Sequence, residues 1–186
     1  MEAGALTYGV ITYGHAILKE KAERVARVDD GIRRLAKDML ATMYRANGVG
    51  LAAQQIGRKE NICVLDVSPR DSADSGSRVP EDVGAPMPLV MINAQITEMT
   101  GEQRTEEGCL SFPDVYVTLK RAAEVTAVFT DLEGSERTIR ARALLARAIQ
   151  HEVDHLNGVL LVDRMSLPQR LAVAGKLKRL RQQAEE

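Results

Sequence analysis

The stretch His151-Glu152-Val153-Asp154-His155 sets two imidazoles and a carboxylate at a spacing suited to hydrolytic chemistry. On a helix, residues four apart lie on one face, so His151 and His155 can aim at one ion. Glu152 sits one position round, near enough to reach a water beside that ion without being a ligand. This H-E-x-x-H pattern serves metal-assisted hydrolysis. A charged amphipathic helix with two exposed histidines carries the same letters. Against that alternative, the chain has only three histidines and spends two of them here.

A catalytic ion needs a third protein ligand. Leu161 stands where the metzincin pattern wants its third histidine, and the only glutamates after Glu152 are Glu185 and Glu186 at the terminus. Asp163 remains formally open. The standard metalloprotease patterns therefore mostly fail, and the best candidate lies upstream. In "EEGCLSFP" (106–113), Cys109 sits in a turn-like setting before a strand. A thiolate with two imidazoles suits zinc or iron and leaves a position open. The competing fate, a small buried hydrophobe, fits Cys63 within "NICVLDV" better than it fits Cys109. In "GVGLAAQQIG" (48–57), two close glycines let the backbone approach a ligand, and Gln55 offers an amide donor to an oxyanion. Taken alone, this segment also reads as a glycine-rich connection with a solvent-facing glutamine.

These groups need elements to hold them. "DDGIRRLAKDMLATMYRANG" predicts a helix over about 30–46, capped by Asp29 or Asp30 and stopped at Asn47-Gly48. "NICVLDV" (61–67) and "LVMIN" predict buried strands, separated by a Ser-, Asp-, Gly- and Pro-rich insertion at about 68–88. "VYVTL" (115–119), "EVTAVFT" (124–130) and "ERTIRA" (136–141) predict antiparallel strands, the last two joined through "DLEG". "ARALLARAIQHEVDHLNG" predicts the helix bearing the histidines. A last helix is expected over about 167–183, with Ser166 as cap and Pro168 in its first turn. Its apolar stripe runs through Leu167, Leu171, Ala174, Leu177 and Leu180. The expected fold is α+β, with antiparallel strands around the histidine-bearing helix and a helix toward each end.

The segments "GVGLAAQQ" (48–55), "EGCLS" (107–111) and "HEVDH" (151–155) closely resemble, in order, the three signature motifs of the peptide deformylases. The resemblance covers nearly the whole chain. It implies a hydrolase that removes the formyl group from the N-terminal methionine of newly made proteins. Cys109, His151 and His155 would hold one divalent ion, ferrous iron natively, with zinc, nickel or cobalt able to replace it. A water on that ion would attack the formyl carbon, with Glu152 as general base and then acid. Gln55 and the backbone N–H of Leu110 would stabilise the oxyanion. Gly50 would let the substrate backbone lie against the first motif, while Val49, Leu144 and Ala148 would form the methionine slot. Arg147 stands where relatives commonly carry an aliphatic residue and can snorkel across the mouth of that slot. Tyr116 stands where some relatives carry an arginine. Arg121 and Asp154 resemble a further family pair, although an ordinary surface ion pair fits them equally.

Size and charge narrow the rest. The 186 residues suit one domain with a real core. Lys+Arg 25 against Asp+Glu 26 leaves a net charge of −1, so DNA is no expected partner. No apolar run is long enough to span a bilayer and the N-terminus lacks a signal-peptide pattern, so a cytoplasmic location is expected. Arg170, Lys176, Lys178, Arg179 and Arg181 place positive charge along the last helix. The resemblance implies a ribosome contact there, near emerging formylated chains; a docking helix with a solvated basic face is the plainer reading. Two other functions stay open: a zinc endopeptidase, or an inactive deformylase-like protein that binds nascent chains or ribosomes.

Overall fold

The computed structural model of the chain describes residues 4–68 and 86–185. The insertion expected at about 68–88 thus lies, apart from its edges, outside the described residues. Mixed helix and antiparallel sheet make up the rest. Helix α1 is Asp30–Arg45, α2 Ala143–Leu156, α3 Leu161–Arg164 and α4 Leu167–Glu185. The strands are β1 (Gly50–Ala52), β2 (Ile62–Leu65), β3 (Leu89–Thr100), β4 (Gln103–Cys109), β5 (Phe112–Arg121), β6 (Glu124–Thr130) and β7 (Glu136–Arg142). They form a five-stranded sheet in the order β1-β2-β3-β6-β7 and a separate two-stranded sheet, β4-β5. Every strand pair is antiparallel.

The strands β2 and β3 explain why "NICVLDV" and "LVMIN" are apolar at successive positions. Side chains alternate between the two faces of a strand, and here both faces are covered. Ile62, Val64, Val90 and Ile92 pack with Leu35, Met39 and Met43 of α1. Cys63, Leu65, Leu89 and Met91 pack with Leu145, Ile149 and Val153 of α2. Burying a side chain of this size contributes about 1.5–3 kcal/mol, so α2 is seated firmly against the sheet. The smaller sheet packs elsewhere: Val115, Val117 and Leu119 of β5 join Leu160, Leu161, Leu177 and Leu180 in a second cluster. The next inward position on β5 is Arg121, a charge placed where the alternation calls for a hydrophobe.

Most expected boundaries hold. The Asp29 carboxylate accepts the Ile32 N–H at 3.0 Å, capping α1, and Asn47 turns the chain away with a φ of 55°. Ser166 and Gln169 cap α4 reciprocally, Gln169 accepting the Ser166 N–H at 2.8 Å. Three features differ. The stretch before Cys109 forms a strand, β4, that the sequence does not predict, and Cys109 ends it at the expected turn into β5. β4 is polar and lies in a two-stranded sheet, so it carries no apolar alternation to betray it. The first motif is not a bare connection but strand β1 followed by a 3-10 turn, Ala53–Ile56, and Gln55 in it is buried. Finally, the stripe on α4 is only half covered: Leu177 and Leu180 are buried, but Leu167 and Leu171 are 69% and 67% exposed. No helix among the described residues is long and apolar enough to cross a membrane.

Candidate metal centre

Two separate layers supply the donors. Helix α2, held on the five-stranded sheet by Leu145, Ile149 and Val153, presents His151 and His155 one turn apart, with ring centroids 5.0 Å apart. The β4–β5 hairpin presents Cys109 where its register shifts beside Gly108. Cys109 Sγ lies 3.2 Å from His155 Nε2, and one ligand atom from each of the three residues falls within 4.8 Å of the others. The exposed-histidine alternative fails, since His155 is buried.

The surroundings fit a cation. His151 Nδ1 lies 3.4 Å from Glu107 Oε2, which leaves Nε2 for an ion, and outer partners of this kind orient metal-bound histidines. Glu107 is in turn gripped by both ends of the Arg121 guanidinium at 3.0 Å. Arg121 also donates to Asp154 at 2.6 Å, and Arg164 closes the chain on Asp154 from outside. The Arg121 and Asp154 side chains are only 5% and 13% exposed, so this is no ordinary surface pair. Burial alone would raise the Glu107 carboxyl, but the His151 and Arg121 contacts hold it down to about 2. Burial would lower His151, yet the charges of Cys109, Glu107 and Glu152 raise it well above the usual imidazole range. Such a point favours positive charge, whether a proton or a metal ion. Burial, with the nearby His151 and Arg121, keeps His155 well below that range and so neutral, the form in which imidazole ligates.

Glu152 is buried beside the donors, and its Oε2 has no hydrogen-bond partner. Burial pushes its carboxyl up to about 7, against the pull of His151 and Arg121. Gln55 is fixed at both ends of its amide. Its Oε1 accepts the Ala52 N–H at 2.9 Å, while Nε2 donates to Ser111 Oγ at 3.2 Å and reaches Cys109 Sγ at 3.6 Å.

The sequence model of the family described as Polypeptide deformylase matches residues 7–171. The chain belongs to the peptide deformylase family. A deformylase of Prochlorococcus marinus subsp. pastoris is 44% identical over 166 residues, spanning 89% of this chain and 77% of that protein. A deformylase of Opitutus terrae is 42% identical over 178 residues, 92% of this chain and 91% of its own. Among solved structures, the Thermus thermophilus deformylase superposes with a TM-score of 0.81 at 35% identity, covering 96% of this chain and 100% of that one. The deformylase of Synechococcus elongatus, solved in complex with actinonin, gives 0.79 at 38% identity, covering 95% and 90%.

The deformylase cleft, about 440 Å³, brings the expected residues together. Cys109, His151, Glu152 and Gln55 line it, and His155 is packed just behind. Val49, Gly50 and Leu110 line one part, and Leu144, Arg147 and Ala148 of α2 another. Sequence reasoning missed the working partners of two of these residues. Ser111 and Glu107 lie inside the quoted motif, but only their contacts show that one holds Gln55 and the other His151.

Proposed function

We propose that this deformylase hydrolyses the formyl group from the N-terminal formyl-methionine of newly synthesised proteins, releasing formate and a free amine. The observation that carries the reading is one cleft in which Cys109, His151 and His155 converge beside Glu152 and the doubly anchored Gln55. The donor set fits one divalent ion held by those three residues, ferrous iron natively by resemblance, with zinc, nickel or cobalt as substitutes. When bound, such an ion supplies Lewis acidity toward a water and toward a carbonyl oxygen.

The remaining work falls to the chain. Glu152 takes a proton from the water that adds to the formyl carbon and passes it to the departing amine nitrogen, so one carboxylate acts as base and then acid. The formyl oxygen gains charge as the carbon becomes tetrahedral. Gln55 Nε2, already aimed by the Ala52 N–H and Ser111, and the backbone N–H of Leu110 receive it. Removing one such donor typically costs about 3–4 kcal/mol of the barrier. Gly50 lets the substrate backbone come close, and Val49, Leu144 and Ala148 take an unbranched methionine side chain. The whole chain acts as one catalytic domain built around α2. Its substrates are N-formylmethionyl nascent chains in the cytoplasm, met at the ribosome through α4.

The test is metal content measured together with formate release from formyl-Met-Ala. One equivalent of ion and rapid release support the reading; a metal-loaded protein that releases no formate overturns it. A blocked internal peptide left uncut sets aside an endopeptidase.

A further inference from the structure

Resting on the deformylase reading of the cleft, we propose that Arg147 selects for an acidic side chain at the third residue of the formylated chain. Arg147 stands in the cleft wall between Leu144 and Ala148, is half-buried, and makes no hydrogen bond or ion pair with any described residue. Of the other arginines near the site, buried Arg121 and exposed Arg164 are both paired with carboxylates. A guanidinium that no carboxylate of the described residues engages stays available to pair with an incoming anion.

The anions of the same cleft do not satisfy it. Glu107 is committed to Arg121, and Glu152 is buried against Gly50. Glu106 and Asp114 are exposed on β4 and β5, the strands that carry Cys109 rather than α2. An incoming ligand is therefore free to supply the counter-charge.

Strand geometry says which residue brings it. Among the described residues β1 has a hydrogen-bonded neighbour on one side only, β2, so an extended peptide can run along its other edge. In an extended peptide, side chains one and three project to the same face, about 6.5–7 Å apart. The first side chain enters the slot formed by Leu144 and Ala148 on α2. The third then falls on the α2 side again, within the sweep of Arg147, whose methylenes cover the apolar wall while its head stays in water. The second side chain points to the other face.

The experiment compares kcat/KM for formate release from formyl-Met-Ala-Glu, -Ala and -Lys, all C-terminally amidated so that the side chain is the only added charge. At low salt the Glu peptide should exceed the Lys peptide by about three- to tenfold, as a partly exposed ion pair allows. The ratio should shrink with added salt. Arg147→Met keeps an aliphatic wall and should bring the ratio to about one, while Arg147→Glu should invert it. A wild-type ratio near one, a preference for lysine set by Glu106 and Asp114, or an unchanged ratio in Arg147→Met overturns the proposal. If the Ala peptide itself releases no formate, the deformylase reading fails instead. Arg147 is then judged by the affinities of the amidated Met-Ala-Glu and Met-Ala-Lys peptides, where equal binding rejects its role.

Discussion

Glu152 owes its position to a residue without a side chain. A Cβ built on Gly50 would overlap the Glu152 carboxylate, so the glycine makes room for that carboxylate. In the proposed reaction Glu152 is a base and no ligand, so its replacement separates binding from chemistry. Glu152→Gln should retain the ion yet lose turnover by about 10²- to 10⁴-fold; near-parental rates on formyl-Met peptides would remove it from the reaction. Cys109 lies on the other side of the distinction. Cys109→Ala deletes one of three donors and should release most of the bound metal, so unchanged stoichiometry by elemental analysis would mean a different third ligand.

At the scale of elements, the proposed function has α2 serve both metal and specificity, because residues one and two turns before His151 share its face. Ala148 is buried and Leu144 is 39% exposed at the opening. Ala148→Trp should fill the slot and mainly raise KM for formyl-Met substrates; turnover that treats formyl-Glu and formyl-Met alike, in the parent protein, would dismiss the slot. α4 divides its charges between two tasks. Lys176 donates to the Asp114 carbonyl, and Arg181 bonds Tyr13 while lying over its ring. Arg170, Lys178 and Arg179 make no such contact and face solvent. Reversing these three to glutamate should abolish a salt-sensitive ribosome association, with short formyl-peptide activity as the folding control. Sedimentation indistinguishable from the parent at low salt would leave α4 as scaffold. The uneven legibility of these elements has a physical cause. α1 was readable from its Asp29 cap and helical periodicity, β6 from its alternation, and α2 from periodicity ended at Asn157-Gly158. β1 and β4 were not, since one is three residues long and the other is polar in a two-stranded ribbon. The roles of Glu107 and Ser111 depend on partners 14 to 56 positions away, which no local pattern encodes.

For the molecule as a whole, what matters is that the Cys109 sulfur and the two imidazoles belong to different layers. Cys109 rides on the β4–β5 hairpin, whose apolar side joins α3 and α4, while the histidines ride on the helix seated against the larger sheet. An ion held by Cys109, His151 and His155 would therefore act as a rivet between two layers of the protein, and its release would loosen their joint. A ligand that binds only the folded chain adds about 2.7 kcal/mol at a hundredfold excess over its Kd. For a chain of this size that corresponds to about 5–10 °C in Tm. Chelation followed by calorimetry should show that fall, with amide hydrogen exchange rising first along β4 and β5. A melting point indifferent to metal would mean that hairpin and helix are locked together by their side chains alone, the Arg121 network foremost among them.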